Sequence, residues 1–175
     1  MDKGFVHIYC GDGKGKTTAA MGLAARMAGS GGRVIIFQFL KNNSSSERKS
    51  LSQLDGIHLI EGFNKVKFTF KMTEEERRAA SEFYEERLSE LSTLVSGGGY
   101  DMAVLDEVIG AVEKGVVKKE SVIGFLDSRP DNTEIVMTGR NPCEELMERA
   151  DYVTEMKKVK HPFDSGIKGR LGIEF

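Results

Sequence analysis

The chain has 175 residues, enough to bury the core of one domain, and residues 1–175 are read as a single unit. Its 25 Lys and Arg stand against 27 Asp and Glu, a formal net charge of −2 that argues against a general nucleic-acid binder, which carries a basic excess. Two cysteines, Cys10 and Cys143, form no disulfide framework, and the longest apolar runs are strand-sized, so a cytoplasmic protein with no signal peptide and no membrane span is expected.

The first predicted element is a buried strand over Phe5-Val6-His7-Ile8-Tyr9, short, mostly apolar and β-rich. Next comes Cys10-Gly11-Asp12-Gly13-Lys14-Gly15-Lys16-Thr17-Thr18, and then a helix through Ala19–Ala28 that ends at Gly29. Strand, glycine loop and helix are the context a phosphate-binding loop requires. Glycines at 11, 13 and 15 let the backbone aim N–H groups at an anion, and the helix N-terminus adds its positive end. Lys16 is placed to reach a phosphate, and the Thr17 hydroxyl to complete the shell of a Mg²⁺ ion. Gly11, Asp12, Gly13, Lys14, Gly15, Lys16, Thr17 and Thr18 are thus the candidate nucleotide-binding residues. Cys10 stands where the general G-x-x-x-x-G-K-[ST] pattern has glycine.

After Gly31-Gly32, Arg33–Phe39 reads as a second buried strand. The polar stretch 41–50 reads as a loop, either a plain surface loop or a flap over a bound substrate, since loops after strand C-termini border the ligand crevice in such sheets. Ile57–Ile60 is a third, short strand. Gly62–Lys71 interleaves phenylalanine and lysine without a helical period. Thr73 and Glu76 form a capping box for a helix whose apolar face is Ala80, Tyr84, Leu88, Leu91 and Val95.

Tyr100–Glu107 is a buried strand that ends in Asp106-Glu107 and resembles a Walker B element, in which a carboxylate at the strand end meets Mg²⁺. Either acid can be the one that touches the ion. Thr17, Asp106 and Glu107 are therefore the candidate metal residues. Two short helices are expected over 108–119 and 120–126, a turn at Arg129–Asn132, a strand at Thr133–Thr138, a helix opening near Asn141-Pro142, and a last strand at Asp151–Met156. Arg140, just past a strand C-terminus, falls on the ligand side, as a phosphate or substrate contact or as an ordinary surface ion pair. His7, His58 and His161 lie too far apart in sequence to suggest a zinc site. Alternating strands and helices with phosphate chemistry at the first strand–helix turn predict an α/β, P-loop NTPase-like fold with a mostly parallel central sheet flanked by helices.

With these residues in hand, the chain resembles the ATP:corrinoid adenosyltransferases of cobalamin synthesis and salvage. The matching pieces are Gly11–Ala20, Gln38-Phe39-Leu40-Lys41, Val104–Glu107, Thr138-Gly139-Arg140, and Val159-Lys160-His161-Pro162-Phe163-Asp164-Ser165-Gly166 running into Gly172–Phe175. They span nearly the whole chain, and in this family a small residue other than glycine commonly stands where Cys10 does. The resemblance implies that Co(I) of a corrinoid attacks the ribose C5′ of ATP and displaces intact triphosphate, with ATP lying reversed in the loop. Lys14, Lys16 and Arg140 become the candidate catalytic residues, which neutralise the leaving triphosphate together with Mg²⁺. No side chain need act as nucleophile. An electron-donating reductase such as a flavoprotein, and a homodimer, are also implied. Phe63, Phe68 and Phe70 become candidates for a ring that presses on the corrin, excludes an axial ligand and eases reduction of Co(II). Some members have a tryptophan in this region, and this chain has none.

Two other readings share the Mg·ATP site: a P-loop kinase of a small metabolite, and an ATP-hydrolysing regulatory or motor domain. The phosphate product separates all three.

Overall fold

The computed structural model describes residues 2–64 and 72–174. Six strands form one sheet: β1 (Val6–Cys10), β2 (Val34–Gln38), β3 (Ile57–Leu59), β4 (Met102–Asp106), β5 (Glu134–Thr138) and β6 (Tyr152–Glu155). Their order across the sheet is β3-β2-β4-β5-β1-β6, and every neighbouring pair is parallel. The expected mostly parallel sheet is thus parallel throughout. Central strands buried on both faces read as unbroken apolar runs, and β2, β4 and β5 are buried at all five positions.

Alternation along the strands sends side chains to two cores. On one face Val34, Ile36, Met102, Val104 and Val136 pack under α1 (Lys16–Gly29), whose Ala20, Met21 and Ala24 form the buried stripe. On the other, Ile8, Ile35, Phe37, Leu105, Ile135 and Met137 pack against Tyr84, Leu88, Leu91 and Val95 of α3 (Glu74–Ser96). The Thr73–Glu76 capping box is present at the start of α3, with both reciprocal bonds formed. The expected Asp106-Glu107 strand end is also present, although β4 stops at Asp106 and Glu107 turns out of it.

Two expectations change. The polar stretch 41–50 is not all loop: α2 (Ser46–Leu51) occupies its second half, anchored by Leu51, which is buried beneath it. The helix expected from Asn141-Pro142 begins later, as α6 (Glu144–Met147) with Cys143 in the N-cap position. Between them lie α4 (Val108–Glu113) and α5 (Lys119–Ser128), close to the two short helices expected there.

The strand order sets the site. β5 is inserted between β1, which leads into the glycine loop, and β4, which ends in Asp106. The two motifs are therefore two strand spacings apart, roughly 10 Å. Side chains from α1 and β5 have to bridge that gap.

Candidate active site

The glycine loop runs from the end of β1 into α1, whose N-cap Gly15 sits at φ 105 and supplies no side-chain cap. The N–H groups of Lys16, Thr17 and Thr18 in the first turn precede any intrahelical acceptor, so the helix presents an open, positively polarised end. The glycines at 11 and 13 serve another part of the chain. The Gly13 N–H donates to the Met156 carbonyl at 2.6 Å, and the Gly11 N–H to that of Arg140 at 2.9 Å. A Cβ at either glycine would lie 2.5 or 2.6 Å from the Met156 carbonyl oxygen. The segment that follows β6 packs directly on the loop at these two residues. Asp12 is exposed and accepts the Lys158 N–H at 2.9 Å, and that bond holds its carboxyl below the usual range.

Lys16 is buried, and its ammonium donates to the Gly11 and Gly13 carbonyls at 2.8 and 2.6 Å. Burial lowers its pKa, against the raising pull of Glu107. The ammonium is thus tied to the loop's own backbone. Lys14 and Thr18 are exposed beside it. The Arg140 backbone ties β5 to the loop, and its side chain is exposed.

Thr17 and Asp106, two of the three residues expected to hold a metal, lie in contact. Thr17 Oγ1 donates to Asp106 Oδ1 at 2.9 Å, joining residues 89 positions apart. Asp106 is fully buried and accepts from three further donors. Thr138 Oγ1 reaches Oδ1 at 2.7 Å, while Gln38 Nε2 and Lys41 Nζ reach Oδ2 at 3.1 and 2.9 Å. Four donors match the roughly four lone-pair positions of an ionised carboxylate. Glu107 adopts a left-handed backbone, φ 63, and its N–H donates to Thr138 Oγ1 at 2.8 Å. Burial and the neighbouring Asp106 raise its pKa.

Gln38, Lys41 and Thr138 also gather here; they lie in family-matching pieces of the sequence but were assigned no role in it. Gln38 lies opposite Asp106 in the β2–β4 register, and Thr138 ends the strand between the two motifs. The available signals were the polar residues Gln38 and Thr138 that close β2 and β5, and the resemblance of the pieces that hold them and Lys41 to the family. Lys41 also lies 3.5 Å from Glu47 of α2 and 3.2 Å from Thr17 Oγ1. Burial pulls its pKa down, but Asp106 and Glu47 outweigh it and the net shift is upward.

Of the three phenylalanines, Phe63 is half-buried and packs on the second core, its ring 5.0 Å from Phe83 and 6.1 Å from Tyr84 between centroids. Phe68 and Phe70 lie outside the described residues.

A parallel sheet, an open helix end after a glycine loop, and a threonine joined to a strand-end aspartate define a P-loop nucleotide-binding protein. A KaiC-like protein from Pyrococcus horikoshii has the same fold, with a TM-score of 0.57 at 16% identity over 90% of this chain and 75% of that one. Sequence comparison is more specific. Residues 2–175 match the family described as ATP:corrinoid adenosyltransferase BtuR/CobO/CobP, and the chain belongs to that family. The corrinoid adenosyltransferase of Escherichia coli K12 is 30% identical over 174 residues, 99% of this chain and 87% of that protein. The corrinoid adenosyltransferase CobA of Salmonella typhimurium is 32% identical over the same shares of each chain. A corrinoid adenosyltransferase of Sinorhizobium is 32% identical over 99% of this chain and 81% of its own length. The chain is accordingly a transferase that uses ATP and a corrinoid, and among the three readings of its P-loop the family selects adenosyl transfer.

Proposed function

We propose that Gly11–Thr18 hold the triphosphate of ATP, that Thr17 and Asp106 hold its Mg²⁺ with Glu107 beside them, and that the adenosyl group passes from this complex to a corrinoid. The observation that carries this reading is the Thr17–Asp106 bond, which brings the loop and the strand-end acid to one point. The donors there are oxygens, and the Lys41 ammonium already lies against both side chains, so the place suits a cation. No cluster of three or more His, Cys, Asp or Glu forms a metal cage among the described residues. An ion held at Thr17 and Asp106 would take its other ligands from water and phosphate oxygens.

The chain's own groups act on the leaving group. Lys16 exchanges its loop carbonyls for phosphate oxygens, the first-turn N–H groups of α1 donate to them, and Lys14 and Arg140 lie at the rim to meet remaining charge. Mg²⁺ held at Thr17 and Asp106 adds charge neutralisation of the triphosphate. The Co(I) substrate supplies the electron pair, the C5′–O bond breaks as the Co–C bond forms, and triphosphate leaves with the pair from that bond. Positioning of the two substrates contributes up to about 7–11 kcal/mol in favourable cases.

Phe68 or Phe70 is read as the ring that displaces the axial ligand of Co(II). The packing of Phe63 in an aromatic cluster supports a structural role for that residue. An electron-donating reductase, a homodimer and a cytoplasmic setting complete the reading. Tyr152, Val153, Phe163 and Leu171, all exposed, offer apolar surface for protein contacts. No helix among the described residues is long and apolar enough to cross a membrane.

The test is incubation with ATP, Mg²⁺ and chemically reduced cob(I)alamin. The expected outcome is the adenosylated spectrum with one triphosphate per turnover. Formation of ADP, with phosphate or with a phosphorylated metabolite, refutes the assignment.

A further inference from the structure

Asp106 has no vacant position: Thr17, Thr138, Gln38 and Lys41 all donate to it. Any cation that approaches this carboxylate must therefore displace a donor. Thr138 is fixed from its other side by the Glu107 N–H. Gln38 is buried and also donates to Glu47 at 2.9 Å. Thr17 spends its proton on Asp106, so its lone pairs face the Lys41 ammonium at 3.2 Å. Lys41 is the donor free to leave. Its side chain keeps 28% exposure, while that of Asp106 has none, and Glu47 stands 3.5 Å away as a second acceptor. The Lys41 ammonium and a cation bound between Thr17 and Asp106 need the same space and neutralise the same charge.

Lys41 is brought there by an unusual backbone. Leu40, just before it, sits at φ 56, in the left-handed region that a branched side chain rarely adopts, and its N–H is caught by Tyr84 Oη at 3.1 Å. Leu40 and Glu107 are the non-glycine residues with positive φ among those described. They flank Lys41 and Asp106, the two ends of one ion pair. Backbone strain of this kind persists where the surroundings over-determine it, and it gathers at functional sites.

We propose that Lys41 is a placeholder for the metal ion. In the nucleotide-free protein its ammonium holds Asp106 and Thr17 in their binding arrangement. When Mg²⁺ arrives with the phosphates of ATP, Lys41 yields its place and moves onto Glu47. The protein so disfavours bare metal and takes the ion together with the nucleotide. The proposal rests on the reading of Thr17 and Asp106 as metal residues.

The test is Mn²⁺ binding to the full-length protein, followed by the paramagnetic resonance of the free ion, with and without ATP. Without nucleotide, Lys41→Met and Lys41→Gln should each bind Mn²⁺ about tenfold more tightly than the unaltered chain, the scale of one partly buried ion pair. The gain should vanish when Asp106→Asn is added. Thermal melting without nucleotide gives a second reading: Mg²⁺ should raise the midpoint of both Lys41 variants and leave that of the unaltered chain in place. If both variants bind Mn²⁺ no better than the parent while Asp106→Asn still weakens Mn·ATP binding, the placeholder role is wrong and the metal site stands. If Asp106→Asn leaves Mn·ATP binding untouched, the metal reading falls and this proposal falls with it.

Discussion

Replacing Lys16 by Met separates function from stability at one residue. Methionine keeps the buried stem and removes the ammonium. Two carbonyls, those of Gly11 and Gly13, then lose their donor. An orphaned buried acceptor costs about 1–3 kcal/mol, and relief of the ammonium's own burial works in the opposite direction. The net change in folding stability should stay within about 1 kcal/mol. The linkage gives it a pH signature. The folded pKa of Lys16 lies below its ordinary 10.5, so the unfolded chain binds more protons between the two values and stability rises with pH across that window. The variant should lack that rise, which urea melts at a series of pH values below 10.5 would reveal. Turnover is expected to fall by about 10²–10³, the scale of one lost transition-state contact. It is measured as triphosphate release from saturating Mg·ATP with preformed cob(I)alamin. Near-normal turnover would refute the phosphate role. A stability loss of about 3 kcal/mol or more would instead make Lys16 a structural tie of the loop.

Thr17→Ala, Asp106→Asn and Glu107→Gln should each raise the Mg²⁺ concentration needed for half-maximal activity, and their double variants should be less than additive; independent effects would argue against one shared ion. Phe68→Ala or Phe70→Ala should abolish activity that starts from Co(II) with a mild reductase and spare most of it with preformed Co(I), and equal losses in both assays would leave those rings a structural role only. Tyr84→Phe removes the acceptor of the Leu40 N–H without changing the aromatic packing around it; a loss of about 1 kcal/mol is expected in urea melts, and none would mean that the turn before Lys41 holds itself.

Local chemistry was readable from sequence wherever its partners are close along the chain. The Thr73–Glu76 capping box lies within one turn and appears as expected. The strand–loop–helix unit around Lys16 does too, because glycine spacing and helix formers act locally. Asp106 stood out as the acid closing an apolar strand. The residues gathered around it did not, because that depends on strand order. Gln38 reaches Asp106 only because β2 and β4 are neighbours, and Thr138 only because β5 is inserted beside β4. No spacing along the chain encodes either fact. The six residues of α2 carry too little periodicity to be told from loop, and Leu51 holds them by a contact that forms only in the folded sheet. The acceptors of the Gly11 and Gly13 N–H groups are equally remote, since Arg140 and Met156 come from the far end of the chain.

That last contact changes what the loop's glycines record. A motif scan credits them to the nucleotide, yet at two of them the backbone beyond β6 already leaves no room for a side chain. Selection on these positions therefore has two independent sources, and a variant chain that had lost all affinity for ATP would still be held to glycine at 11 and 13 by its own architecture. The converse also holds. Because Met156 and Lys158 grip the loop through Gly13 and Asp12, a fusion, tag or cleavage near residue 156 amounts to an alteration of the glycine loop, however far from it the cut falls along the chain.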